Sequence, residues 1–101
     1  MKKNAEVNLK NNKFIILGEL NFSNVMDIYK ECIAGITNYP SLEEFDFSQV
    51  TASNSAGLAL VIELLKYGKT NNRRIYISHL SEDLLSLARV SGLEKIIKNE
   101  K

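Results

Sequence analysis

Cysteine, histidine and proline each occur only once in this 101-residue sequence, and tryptophan is absent. The single cysteine, Cys32, has no partner for an internal disulfide bond, and one cysteine with one histidine is too few ligands for a structural metal site. The five glycines are isolated from one another, so neither a phosphate-binding loop nor a dinucleotide-binding fingerprint is present. We therefore expect a protein without disulfide bonds, bound metal or cofactor.

The sequence also lacks a charge excess and a long hydrophobic run. Thirteen basic against twelve acidic residues leave a formal net charge of +1, which gives no general attraction to nucleic acids or anionic membranes. The most apolar stretch, residues 56–65, is about half as long as a membrane-spanning helix, and the first residues lack the apolar core of a secretion signal. We expect one cytoplasmic domain over residues 1–101, with no direct membrane insertion and no nucleic-acid partner.

Hydrophobic periodicity in the first third of the chain predicts a hairpin followed by a helix. Val7 and Leu9 alternate with polar neighbours, and the apolar run 14–17 follows the turn residues Asn11 and Asn12. Apolar residues then recur at helical spacing and predict a helix over 22–36, capped by Asn21. Its apolar face comprises Phe22, Val25, Tyr29, Cys32, Ile33 and Ile36.

The rest of the chain alternates between strand and helix patterns. The predicted elements are a strand over 45–48, a helix from Ala56 to about Thr70 capped by Asn54 or Ser55, a strand over 73–79, a third helix capped by Ser81 and stopped by Gly92, and a short strand at Ile96 and Ile97. Strands that alternate with helices imply βαβ crossovers. The sequence thus predicts an α/β domain with a mixed sheet of about five strands and helices packed on it.

The predicted helix from Ala56 carries two apolar stripes. Leu58, Val61, Ile62 and Leu65 share the face that should pack on the sheet. A second stripe, which comprises Leu60, Leu64 and Tyr67, is rotated to the side of the helix. This second stripe is either an exposed docking site or a surface that a neighbouring helix of the same domain covers.

Side chains that could carry chemistry are few. Cys32 lies on an apolar helix face and is expected to be buried. Ser55, His79 and Asp46 have the residue types of a serine triad, but no nucleophile-elbow pattern surrounds Ser55, so we expect no catalytic residues. The basic residues near the end of the same helix are interpreted as cations that match a helix C-terminus rather than as a nucleic-acid site: Lys66, Lys69, Arg73 and Arg74.

Ser55 places a hydroxyl where the chain enters a helix, beside the small residues Ala56 and Gly57. It is either a plain helix cap or a functional group, and a phosphate added there would gain from the free N–H groups at the helix start.

These segments resemble the STAS domain family over nearly the whole chain. The resemblance is carried by residues 45–48, by residues 54–60 and by residues 80–93, which end in Ala-Arg-Val-Ser-Gly-Leu. STAS domains include anti-sigma-factor antagonists, C-terminal domains of anion transporters and the MlaB-type subunits of the bacterial Mla phospholipid-transport ABC system. The order and spacing of the segments are most similar to the MlaB type.

The resemblance implies a non-enzymatic cytoplasmic subunit of a system that maintains outer-membrane lipid asymmetry. Its partner would be an MlaF-like ATPase, which would link it indirectly to the permease complex and hold it peripheral to the inner membrane. The implied partner-binding residues are Thr51, Ser53, Asn54, Ser55, Ala56, Leu60 and Glu63. We expect the loop 51–55 and the start of the following helix to form this contact.

The alternative that the resemblance implies is an anti-sigma-factor antagonist regulated by phosphorylation. Ser55 aligns with the serine that is phosphorylated in those antagonists. Asn54 and Ala59 stand where the antagonists usually have Asp and Gly, and this departure disfavours phosphoregulation.

Overall fold

A computed structural model of the chain describes residues 5–97, which form one four-stranded sheet and four helices. The sheet order is β1-β2-β3-β4, with β1 antiparallel to β2 and the other pairs parallel. The predicted mixed α/β sheet is confirmed, although it has four strands rather than about five. The elements are β1 Ala5–Lys10, β2 Lys13–Leu20, α1 Val25–Asn38, β3 Glu44–Ser53, α2 Ser55–Thr70, β4 Tyr76–Ser78, α3 Glu82–Val90 and α4 Glu94–Ile97.

The β1–β2 hairpin forms where the alternating pattern predicts it. Lys10 pairs with Lys13, so Asn11 and Asn12 make a two-residue turn with φ values of 55° and 62°. Two consecutive positive φ angles define the hairpin turn whose twist matches the flanking strands, and asparagine tolerates this conformation better than most residues.

Several elements differ from the sequence-based expectation in their bounds or type. Helix α1 begins at Val25 rather than at 22, because the Asn21 side chain accepts hydrogen bonds from the backbone N–H groups of Ser23 and Asn24 and forms a turn first. Strand β3 continues to Ser53, so the expected loop 51–55 shrinks to a single residue. Strand β4 covers only Tyr76–Ser78 of the expected 73–79. The expected last strand at 96–97 is wrong, because these residues belong to α4. The helix predicted from Ala56 to about Thr70 is confirmed, with its first residue at Ser55, and so is the Ser81 cap of α3.

The core lies between the sheet and one layer of helices. Strands β2, β3 and β4 are neighbours in chain order, so right-handed crossovers place α1 and α2 on the same face of the sheet. Phe14 stacks on Phe45 with ring centroids 5.1 Å apart, and Cys32 from α1 is fully buried beneath them in the same cluster. Burial raises the pKa of the Cys32 thiol, which keeps this side chain protonated and unreactive.

The second apolar stripe of α2 is part of this core. Leu60 and Leu64 are only 2% and 0% exposed, Tyr67 is half-buried, and α1 packs against α2. Of the two alternatives that the sequence leaves open, the structure therefore favours coverage within the domain, since Leu60 and Leu64 are core residues rather than docking residues. No helix within residues 5–97 combines the length and the apolar character needed to cross a bilayer.

The opposite face of the sheet carries a buried carboxylate. Asp46 is 3% exposed and contacts the Lys13 ammonium at 2.7 Å, the Ser48 backbone N–H at 2.8 Å and His79 Nδ1 at 3.2 Å. Burial opposes ionisation of this carboxyl, but the hydrogen bonds from Lys13 and Ser48 and the charge of Lys13 outweigh it and lower the pKa of Asp46 to about 2. Asp46 is thus ionised, and its salt bridge with Lys13 links β3 to β2.

Acidification is expected to weaken the fold by protonating Asp46. Because its pKa is lower in the folded than in the unfolded chain, its contribution to stability is complete above about pH 4 and is lost as the pH falls toward about 2. Urea unfolding at about pH 6 and about pH 2.5 should show a smaller loss of stability in Asp46→Asn than in the unmodified chain. The exposed Asp27→Asn serves as the control, and equal losses in all three proteins would contradict the prediction.

Candidate functional site

The candidate site lies at the end of the sheet where β2 and β3 both stop. Leu20, the last residue of β2, pairs in register with Ser53, the last residue of β3. The connections to α1 and α2 therefore begin side by side at this edge. The carboxyl edge of parallel strands is where α/β proteins most often place their functional groups.

Asn54 caps α2 and leaves the neighbouring hydroxyl available. The Asn54 side-chain oxygen accepts a hydrogen bond of 2.8 Å from the Ala56 backbone N–H. Ser53 Oγ donates to the Asn54 carbonyl at 2.9 Å. The Ser55 side chain is exposed, and its hydroxyl makes no hydrogen bond with any residue in the range 5–97. Of the two cap positions that the sequence left open, the structure selects Asn54.

Gly57 lets the start of α2 lie against its neighbours. A Cβ atom at this position would lie 2.0 Å from Ser53 Oγ, 3.1 Å from Ser53 Cβ and 3.3 Å from Leu84 Cδ2 of α3. The absence of a side chain at Gly57 therefore allows the end of β3, the first turn of α2 and α3 to pack closely together.

The structure divides the seven expected partner-binding residues into two groups. Thr51, Asn54, Ser55 and Glu63 are exposed, and Ser53 is half-buried. Ala56 and Leu60 are 0% and 2% exposed, because their positions on α2 face the core. These two side chains present no surface to a partner, so their assignment to the contact is corrected.

Sequence reasoning missed two exposed apolar residues beside Ser55. Phe22, in the connection before α1, is 67% exposed, and Met26, in the first turn of α1, is 62% exposed. Phe22 had been expected on the buried face of a helix that starts at 22. The turn that Asn21 forms delays the helix start and directs Phe22 outward.

The contact between α1 and α2 places these residues on one surface. Burial raises the pKa of Tyr29 on α1, and the charge of Glu63 on α2 raises it further, in agreement with the packing of α1 against α2. Met26 lies one turn before Tyr29 on α1, and Ala59 lies one turn before Glu63 on α2. Phe22 precedes the start of α1, and Ser55 is the first residue of α2, so both lie near the carboxyl edge of the sheet. We call this surface the N-terminal helix surface: Phe22, Met26, Ser55, Ala59 and Glu63.

The residues of the possible serine triad are not assembled. His79 does contact Asp46, but Ser55 follows the far end of β3, and the seven residue steps from Asp46 to Ser53 span roughly 20 Å of extended chain. Within residues 5–97 no group of three or more metal-binding side chains is present. The exposed groups of the candidate site are therefore a hydroxyl, two apolar side chains and one carboxylate, which suit contact with another protein.

Comparisons with known proteins place the chain among STAS domains. The family model described as "Mlab, STAS domain" matches residues 15–98. The solved structure of the anti-sigma factor antagonist SpoIIAA in its unphosphorylated form is similar with a TM-score of 0.64 and 18% identity, over 90% of this chain and 83% of that chain. A Thermotoga maritima protein, a candidate anti-sigma factor antagonist, is similar with a TM-score of 0.67 and 18% identity, over 91% and 81% of the two chains. No curated protein matches the sequence.

Proposed function

The chain belongs to the Mlab-type STAS domain family, and we propose that it is a non-enzymatic subunit that binds the ATPase of a bacterial ABC phospholipid-transport system of the Mla type. The observation that carries this proposal is the N-terminal helix surface, which combines the exposed apolar side chains of Phe22 and Met26 with an exposed Ser55 hydroxyl that bonds to no residue in the range 5–97. A domain that works alone gains nothing from exposing two large apolar side chains together, whereas a docking surface needs such anchors.

The surface has the composition of a small protein-binding patch. Phe22 and Met26 supply apolar area, Ala59 allows close approach, and Ser55 and Glu63 supply polar groups that fix orientation. The chain contributes binding energy rather than chemistry, so its effect would be to stabilise the assembled ATPase. In this arrangement the ATPase connects it to the permease complex and holds it at the inner membrane.

Replacing Ser55 tests this interface. In Ser55→Asp a charge would be buried against the partner, and in Ser55→Leu the hydroxyl would be replaced by a bulky group, so each variant should bind the purified cognate ATPase at least about tenfold more weakly. Phe22→Ala, which removes an anchor, should have a similar effect. The dissociation constant is measured by surface plasmon resonance with the ATPase immobilised on the chip. Circular dichroism shows that each variant is folded.

Ser41→Asp is the matched control, because Ser41 is also exposed but lies before β3, at the opposite edge of the sheet. It should bind as the unmodified chain does. Unchanged binding of the Ser55 and Phe22 variants, or an equal loss in Ser41→Asp, would rule out this interface.

A second candidate function is an anti-sigma-factor antagonist that is phosphorylated on Ser55. The exposed Ser55 hydroxyl at the start of α2 favours it, because a kinase can reach the hydroxyl and the helix start would stabilise a phosphate. Incubation with an anti-sigma-factor kinase and ATP distinguishes the candidates: one phosphate on Ser55 supports the antagonist, and no phosphate supports the transport subunit.

A further inference from the structure

A groove of about 810 Å³ lies beside β4, toward the C-terminal end of α2. Its apolar lining is formed by Ile62, Leu65, Ile75 and Tyr76, and none of its lining residues carries a carboxylate. Five cationic side chains surround this lining, from α2, from the segment before β4 and from α4: Lys66, Lys69, Arg73, Arg74 and Lys95. The whole chain has a net charge of only +1, so this is a local concentration of positive charge.

The five cations are not equally engaged within the domain. Arg73 donates to the carbonyl groups of residues 36, 40 and 42, each at 3.1 Å, and is a structural residue. Arg74 lies over the Tyr76 ring, 5.5 Å from its centroid, and hydrogen-bonds its hydroxyl. Lys69 and Lys95 form no ion pair with any residue in the described part of the chain.

The helix dipole explains only part of this cluster. Lys69 lies in the last turn of α2 and matches the negative end of that helix. Arg74 and Lys95 come from other segments and converge on the same groove, which the dipole of α2 does not require. The convergence of three segments around an apolar lining is the arrangement of a binding groove.

We infer that this groove binds an acidic, partly apolar segment of a partner protein. The carboxylates of such a segment would lie near Lys69, Lys95 and Arg74, and its apolar side chains would cover Ile62 and Leu65. A small inorganic anion would leave the apolar lining unused. A single-stranded nucleic acid would need exposed aromatic faces, and the ring of Tyr76 is already covered by Arg74.

The groove and the N-terminal helix surface are separate. Helix α2 has 16 residues and is about 24 Å long, with Ser55 at its first residue and Lys69 in its last turn. The inference therefore does not depend on the identity of the partner that binds near Ser55. It makes α2 a helix with a contact surface at each end.

The test uses a fluorescent peptide of two Leu-Glu-Glu-Leu-Leu-Glu-Glu repeats as the probe. We expect it to bind the full chain in fluorescence anisotropy at low salt, and the double variant Lys69→Glu with Lys95→Glu should bind it at least about tenfold more weakly. The control is Lys10→Glu with Lys30→Glu, which makes the same change of net charge at exposed positions outside the groove and should alter binding less than about twofold.

Three further outcomes would overturn the inference. The first is no binding of the Glu/Leu peptide at concentrations up to about 1 mM. The second is equal binding of a peptide in which Ser replaces every Leu, since the apolar lining would then contribute nothing. The third is equal weakening by both double variants, since net charge alone would then explain it. Binding of anionic phosphatidylglycerol vesicles in place of the peptide, lost in the groove variant only, would assign the groove to a lipid surface instead.

Discussion

Replacing Leu60 by Ala is expected to lower the free energy of unfolding by about 2–5 kcal/mol. Leu60 is 2% exposed and belongs to the buried cluster between α1, α2 and the sheet. Truncation removes three carbon atoms and leaves a cavity that the surrounding side chains fill only in part. A domain of this size is stable by about 5–15 kcal/mol, so the variant should unfold at a clearly lower urea concentration.

Leu9→Ala is the matched control, because it makes the same substitution at a leucine that is 44% exposed on β1. It should cost less than about 1 kcal/mol. This comparison also distinguishes the two interpretations of the second stripe of α2. If Leu60→Ala left the urea midpoint unchanged but weakened ATPase binding, Leu60 would be a docking residue and the packing described above would be wrong.

The two stripes of α2 illustrate what periodicity can predict. The spacing of Leu58, Val61, Leu60 and Leu64 predicts correctly that residues 55–70 form a helix and that both stripes are apolar. It does not tell which surface covers each stripe. That depends on the handedness of two crossovers, which place α1 and α2 on the same face of the sheet. The local sequence pattern of α2 therefore cannot predict that α1 packs beside it.

Short apolar runs were the least informative part of the sequence. Ile96 and Ile97 were assigned to a strand, and the backbone there forms the last residues of α4. Two apolar residues fit a strand and a helix equally well, because periodicity needs a longer window. The small residues 51–53 belong to β3 but fall within the expected loop 51–55, since at this end of the sheet several of them are exposed and the alternation that marks a strand is lost.

The candidate site was predictable where local rules determine it. Asn54 was one of the two expected caps, and its side chain does satisfy the start of α2. The exposure of Phe22 could also have been predicted, because Asn21 and Asn24 flank it with side chains that favour turns. The helical spacing of Phe22 with the apolar residues that follow it instead predicts a buried position. The groove beside β4 was not predictable, since its residues come from three segments that only the fold brings together.

Gly68→Ala is expected to lower the free energy of unfolding by about 3 kcal/mol, which is the opposite of the usual effect of this substitution in a helix. The added Cβ would lie 2.6 Å from the Arg73 carbonyl oxygen and 3.1 Å from two carbons of Ile75. A backbone oxygen has no rotamer with which to avoid this contact. The segment is also fixed in place, because the Arg73 N–H donates to the Gly68 carbonyl at 2.8 Å and its guanidinium is held by three further carbonyl groups.

The measurement is urea unfolding of Gly68→Ala beside Thr70→Ala, which changes an exposed residue in the same turn and should alter stability by less than about 0.5 kcal/mol. In an open helix, glycine to alanine would stabilise by about 0.5–1 kcal/mol. The sign of the change in the free energy of unfolding therefore shows whether residues 73–75 pack closely against Gly68. A stabilised Gly68→Ala variant would mean that residues 73–75 lie farther from α2 than described, and the groove that these segments form together would be lost with that packing.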